Sequence, residues 1–126
     1  LKYNPNQMVM VAHTFNNHFD NKFPSSLSKK TVNNYLRAKI GFEGVVITDD
    51  LDMLAIKNNY TIEETVINAI NAGVDILLFC NFKEENPNLP SEIHNIIVNA
   101  IKQGKINEKD IVLSYNRIIK LKSNLK

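Results

Sequence analysis

Several residue types that define whole classes of small protein are scarce in this chain. Its 126 residues include one cysteine, no tryptophan, four glycines and four prolines. The lone Cys80 cannot form an internal disulfide, which excludes the small secreted domains that disulfides hold together. The sequence contains no glycine-rich phosphate loop, no CxxC and no HExxH pattern. The usual sequence signatures of nucleotide binding, thiol redox chemistry and zinc proteolysis are therefore missing.

Charge of one sign and long apolar runs are scarce as well. The 15 Lys and Arg residues against 13 Asp and Glu residues give a net charge of +2, and no basic run is longer than Lys29-Lys30. Phosphate neutralisation needs clustered cations, so we expect no nucleic-acid partner. The longest apolar runs, 8–12 and 76–80, fall well short of the ~18 residues that span a bilayer, so no membrane partner is expected.

The sequence contains no signal that identifies a cellular compartment. The chain starts at Leu1 rather than at methionine, so a preceding signal peptide remains compatible with it. We expect a cytoplasmic location, and periplasmic and secreted locations stay open.

Short apolar runs alternate with segments of helical spacing. Strands are predicted at 8–12, 45–48 and 74–79. Helices are predicted after the caps Ser28, Ser91 and Asn107, and another from Thr61. The helix from Thr61 ends at Gly73, and the helix after Ser91 ends at Gly104. Strands joined by crossover helices are parallel. The order predicts an α/β fold, either a doubly wound sheet or part of a (β/α)8 barrel, whose complete form needs about 250 residues.

Chemistry in parallel α/β folds gathers at the carboxyl ends of the strands. The first predicted strand is followed there by His13, and the second by the trio Asp49, Asp50 and Asp52. Burying carboxylates is costly unless they are paired, so the trio indicates a site; the structural alternative is that one of them caps the next helix. Alternation puts Asp49 and Asp50 on opposite faces of the strand without deciding which face lines a pocket.

Two other interpretations concern metal and thiol chemistry. Oxygen ligands suit Mg²⁺, so a small doubly wound signalling or binding domain with Mg²⁺ on Asp49 and Asp50 is one hypothesis. In such domains the metal-binding acidic residues follow two different strands, whereas here all three aspartates follow one strand. Cys80 has no evident base partner and is predicted to be a packing residue.

Several sequence blocks resemble the catalytic domain of glycoside hydrolase family 3, above all its bacterial β-N-acetylhexosaminidases. The blocks follow the family order almost from end to end: 9–13 (VMVAH), 24–28 (PSSLS), 41–53 (GFEGVVITDDLDM) and 72–78 (AGVDILL). The resemblance implies a partial (β/α)8 TIM barrel. Residues 1–126 would be its C-terminal half, about strands 6 to 8 with their helices plus a C-terminal helix.

The resemblance also implies an activity. Asp49 would be the nucleophile of a retaining hydrolase that removes β-linked N-acetylglucosamine from peptidoglycan or chitin-type fragments through a covalent glycosyl-aspartate. His13 and Met53 would line the sugar subsite, and neither a metal nor another cofactor is implied. Retaining hydrolysis needs a second group as acid and base. The family's histidine–aspartate pair and its Lys-His-Phe-Pro-Gly-His-Gly type motif do not occur in this sequence.

Three strands cannot close a barrel that requires eight. We therefore expect the exposed strand edges to be covered by the missing N-terminal half of the barrel or by self-association. The 126-residue piece alone is expected to be inactive towards its carbohydrate substrate. A barrel relic that binds sugar without catalysis is the remaining hypothesis.

Overall fold

The computed structural model describes residues 7–81 and 85–124, which form a mixed α/β architecture. The strands are β1 (Met8–Val11) and β2 (Val45–Thr48). Between them lie a 3-10 helix (Ser25–Leu27) and a π-helix (Lys30–Lys39). The α-helices are α1 (Leu54–Lys57), α2 (Ile62–Ala72), α3 (Leu89–Lys102) and α4 (Glu108–Ser123). Within these ranges no helix has the length and apolar character needed to cross a membrane.

The two strands form a parallel sheet, as the crossover between them predicts. Met8 lies opposite Val45, and the register continues to Val11 opposite Thr48. Met8 and Met10 are 42% and 57% exposed, whereas Val11 is buried. The prediction that the first strand is buried on both faces is therefore wrong, because one face of β1 is open.

The predicted third strand, 74–79, does not form a regular strand. It runs parallel beside β2 and makes a single bridge, between Ile47 and Ile76. The Thr48 N–H still donates to the Ile76 carbonyl at 3.1 Å. The Leu78 N–H, however, donates to the Thr48 hydroxyl at 3.0 Å. The ladder stops because a side-chain oxygen replaces the backbone acceptor, although the segment remains beside β2.

Helix α2 begins and ends where the sequence predicts. The Thr61 hydroxyl accepts the Glu64 N–H at 3.2 Å, and the Glu64 carboxylate accepts the Thr61 N–H at 2.8 Å. This reciprocal capping box satisfies two backbone donors at the start of the helix. Gly73 ends the helix at a φ of 100°, a left-handed conformation that costs glycine little. Both ends are thus encoded by local residues.

Of the other α-helices, one begins where the sequence predicts and two do not. Asn107 caps α4, and its side chain accepts the Lys109 N–H at 3.0 Å, as predicted. Helix α3 begins at Leu89 instead of after Ser91. Pro90 fits the first turn because the N–H that it lacks has no partner within a helix at that position. The short helix α1 was not predicted.

The core lies between the sheet and the helices on its covered face. Val46 of β2 packs with Val32 of the π-helix and Ala72 of α2. A second cluster joins Ile70 of α2 to Ala100 of α3. This packing supports the strands from one side and so fixes the positions of their carboxyl ends.

A buried carboxylate ties four segments together at the opposite end of the sheet. Asp75, whose side chain is 0% exposed, accepts from Arg37 Nη2 at 2.7 Å and from the Val46 N–H at 2.8 Å through Oδ2. Its Oδ1 accepts from Ser114 Oγ at 2.7 Å and Arg117 Nη1 at 2.9 Å. The charge is therefore fully compensated by hydrogen bonds and two guanidinium groups.

Replacing Thr61 by alanine is expected to lower the free energy of unfolding by about 1 kcal/mol, because the first turn of α2 loses its cap. Urea denaturation measures the change. Thr14→Ala is the matched control, since the Thr14 hydroxyl lies in an exposed pair, 3.4 Å from Ser25 Oγ. Equal losses for the two variants would contradict the cap's contribution.

Candidate active site

Asp49 directly follows β2 at its carboxyl end. Its N–H donates to the Val11 carbonyl at 3.0 Å, which extends the pairing of β1 and β2 by one residue. Its Oδ1 accepts the N–H of Asp50 at 2.8 Å. The backbone of Asp49 is thus fixed at the sheet edge by Val11, and its half-buried side chain is held by the N–H of Asp50.

The register identifies the face that alternation along the sequence left open. Met10 lies opposite Ile47, and directly opposed residues of neighbouring strands share a face. Met10 is 57% exposed, whereas Val46 and Thr48, on the other face of β2, are fully buried. Asp49 continues the alternation of Ile47. It therefore belongs to the open face of the sheet.

Asp50 and Asp52 bind the segment that follows residue 78. Asp50 Oδ1 accepts the Asp52 N–H at 3.0 Å and the Cys80 N–H at 2.9 Å. Asp52 Oδ2 accepts the Asn81 N–H at 2.8 Å, and its Oδ1 lies 3.3 Å from Lys57 Nζ. These two carboxylates act as acceptors that join the two strand-end loops.

None of the three aspartates caps a helix. The cap position of α1 is Met53, which makes no side-chain capping bond. The prediction that one of them caps the next helix is therefore wrong. The backbone N–H groups that these carboxylates accept lie in loops.

The ionisation of Asp50 reflects these contacts. Burial acts to raise its pKa, but the hydrogen bonds from the N–H groups of Cys80 and Asp52, together with the Cys80 thiol and His13, leave the pKa below its usual value. The hydrogen bond to Asp50 and nearby carboxylate charges raise the pKa of the Cys80 thiol. Cys80 is exposed, so its predicted role in packing is wrong, and its raised pKa keeps it in the weakly nucleophilic thiol form.

His13 links the loop after β1 to the loop after β2. Its Nδ1 lies 2.7 Å from Ser26 Oγ, and its Nε2 lies 2.8 Å from the Asp50 carbonyl oxygen. A carbonyl oxygen only accepts, so Nε2 carries a proton and donates. Met53 donates its N–H to the same carbonyl at 3.1 Å, and its side chain is 44% exposed.

The structure therefore gathers the three site residues predicted from the sequence. His13 and Met53 both bind the Asp50 carbonyl, and Asp49 binds the N–H of Asp50. Sequence reasoning missed Ser26, which is 0% exposed and holds the His13 ring. The only available signal was its place within the 24–28 block, which carries part of the family resemblance.

A magnesium site receives no support from the geometry of the trio. Over residues 7–81 and 85–124, no group of three or more His, Cys, Asp or Glu side chains is arranged to hold a metal ion. Asp50 Oδ1 and Asp52 Oδ2 already accept backbone N–H groups.

Comparison with known proteins points to one family. A family model described as "Glycosyl hydrolase family 3 N terminal domain" matches residues 3–121. Beta-hexosaminidase A of Pseudoalteromonas piscicida is 28% identical over 138 aligned residues, which cover 99% of this chain and 23% of that protein. The beta-hexosaminidase of Haemophilus influenzae Rd is 37% identical over 78 residues, or 60% of this chain and 21% of that protein.

Solved structures agree with the sequence relatives. The beta-N-acetylglucosaminidase of Thermotoga maritima superposes with a TM-score of 0.82 and 34% identity, covering 94% of this chain and 25% of that one. LpqI of M. tuberculosis gives a TM-score of 0.78 at 30% identity, covering 90% of this chain and 33% of that one. This chain thus spans a third or less of the length of these four relatives.

Proposed function

The chain belongs to glycosyl hydrolase family 3, and we propose that within the whole protein it forms the C-terminal half of a (β/α)8 barrel with β-N-acetylhexosaminidase activity. The parallel pairing of β1 and β2 supports this placement. So do the names of the relatives, which include beta-hexosaminidases and a beta-N-acetylglucosaminidase. The substrate is a carbohydrate with a terminal β-linked N-acetylglucosamine, in a peptidoglycan or chitin-type fragment.

The assignment of Asp49 as the nucleophile rests on how its position differs from those of Asp50 and Asp52. Asp49 lies on the open face of the sheet at the carboxyl end of β2, whereas Asp50 and Asp52 bind backbone donors in the adjoining segment. Active sites of (β/α)8 enzymes lie at this end of the strands. Asp49 is thus the carboxylate of the trio that is placed to meet a sugar.

The reaction follows from that placement. A carboxylate oxygen of Asp49 attacks the anomeric carbon as the glycosidic bond breaks, and the leaving oxygen takes a proton from a general acid. Water then releases the sugar from the glycosyl-aspartate, with net retention at the anomeric carbon. His13 and Met53 flank the bound sugar, and the acid belongs to the part of the whole protein outside this chain.

The open face of β1 fits the same proposal. Met8 and Met10 are exposed there, and apolar side chains on a strand are favoured when a neighbouring element covers them. The remaining strands of the barrel are the proposed cover.

Covalent trapping tests the nucleophile directly. The full-length protein is incubated with a fluorinated N-acetylglucosaminide that forms the glycosyl-enzyme but releases it slowly, and peptides are then mapped by mass. One sugar adduct is expected, on Asp49. An adduct on another residue, or none in an enzyme that still turns over, would sink the assignment; Asp49→Asn is the matched unlabelled control.

A further inference from the structure

The carboxylate of Asp50 joins two loops that are distant in sequence. Its Oδ1 accepts the Asp52 N–H at 3.0 Å within its own loop and the Cys80 N–H at 2.9 Å from a segment 30 residues further along. Both donors are backbone groups, so the contacts constrain the path of the chain itself. Removing the carboxylate leaves both N–H groups without this acceptor.

The backbone of Asp50 is engaged on both sides as well. Its carbonyl oxygen accepts from His13 Nε2 at 2.8 Å and from the Met53 N–H at 3.1 Å. Its own N–H donates to Asp49 Oδ1 at 2.8 Å. A rotation of this residue would therefore move the donor that holds the Asp49 carboxylate.

We propose that Asp50 is a positioning residue, which fixes the Asp49 carboxylate for attack while taking no part in the bond changes itself. The inference rests on the proposed function, because it presumes that Asp49 reacts. The side chain of Asp50 binds the residue 80 segment, and its peptide group binds Asp49. The two groups of contacts make one rigid connection from that segment to the reacting oxygen.

The charge of Asp50 suits this role. An ionised carboxylate only accepts hydrogen bonds, and both of its backbone partners are donors. Misplacing a reacting group by about 1 Å costs a rate factor of about 100. A residue that binds Asp49 through its N–H therefore influences turnover more than substrate affinity.

Kinetics of the full-length protein on an aryl β-N-acetylglucosaminide test the proposal, normalised to folded protein by circular dichroism. Asp50→Ala is expected to lower kcat about 100-fold and to change KM by less than about threefold. Asp50→Asn retains an oxygen that accepts the same two N–H groups, so it is expected to remain within about tenfold of the wild type. Asp110→Ala, an exposed carboxylate in the first turn of α4, is the matched control with unchanged kcat.

Chemical rescue separates positioning from reaction. Azide is a small nucleophile that can replace a missing carboxylate, so it is expected to restore turnover to Asp49→Ala but not to Asp50→Ala. Rescue of Asp50→Ala by azide would overturn the proposal, because Asp50 would then be the reacting group. If Asp50→Ala does not fold, Asp50→Ser carries the same test, since its oxygen lies one bond nearer the backbone.

Different outcomes contradict the positioning role and the proposed function. Wild-type kcat in folded Asp50→Ala, or equal losses in the alanine and asparagine variants, overturns the positioning role alone. Retained turnover in Asp49→Ala overturns the proposed function, whatever Asp50 does.

Discussion

Asp49→Ala in the full-length protein is expected to lower kcat by at least about 1,000-fold, or about 4 kcal/mol in activation free energy. The proposed mechanism makes Asp49 the residue whose oxygen bonds to the anomeric carbon, so its removal takes away the nucleophile itself. Asp50 and Asp52 instead accept the N–H groups of Cys80 and Asn81, whereas, among the residues that the structure describes, Asp49 makes no such contact with that segment.

The loss must occur in a folded protein to be informative. The Asp49 side chain accepts one hydrogen bond, from the adjacent N–H, so its removal is expected to leave the far-ultraviolet circular dichroism unchanged. Turnover is measured with an aryl β-N-acetylglucosaminide. A folded variant that keeps more than a tenth of the wild-type kcat would show that Asp49 is not the nucleophile.

Asp75→Ala is expected to lower the free energy of unfolding by about 3–5 kcal/mol, because it leaves buried positive charge without its partner. The Asp75 side chain is 0% exposed and that of Arg37 is 11% exposed. Arg117 and Ser114 lose the same acceptor. Urea denaturation of the full-length protein, followed by circular dichroism, measures the change.

An exposed ion pair provides the matched control. Glu63 lies 3.0 Å from Lys105 Nζ, and both side chains are about half exposed; Glu63→Ala is expected to cost at most about 1 kcal/mol. Should Asp75→Ala yield no folded protein, Asp75→Asn is expected to fold with an intermediate loss, since its amide oxygen still accepts hydrogen bonds. Equal stability of the Asp75 and Glu63 variants would contradict the role of burial.

The parts of the fold that were predicted correctly depend on local chemistry. The run at 45–48 forms β2, and α2 lies between Thr61 and Gly73 as predicted. The run at 74–79 was wrong as a strand because the Leu78 N–H finds the Thr48 hydroxyl, 30 residues earlier in the chain. The residues around 78 do not indicate that a distant side chain will accept this N–H in place of a backbone carbonyl.

The start of α3 was wrong for a different reason. Pro90 lies directly before Ser91, the predicted cap, so the sequence places it outside the helix. Leu89 is buried, and its packing favours an earlier start, which the proline tolerates in the first turn.

The sequence by itself determined the chemistry available at the site and, through its blocks, the family. It placed His13 and three aspartates after apolar strands, and carboxylates are the groups that most retaining glycosidases use. Only the tertiary structure decided which groups each carboxylate contacts. Asp49 and Asp50 are adjacent and chemically identical, and their contacts differ because the Cys80 N–H and the His13 ring, 30 and 37 residues away, both bind Asp50. Folding brings those partners together, and Asp49 is left on the open face of the sheet.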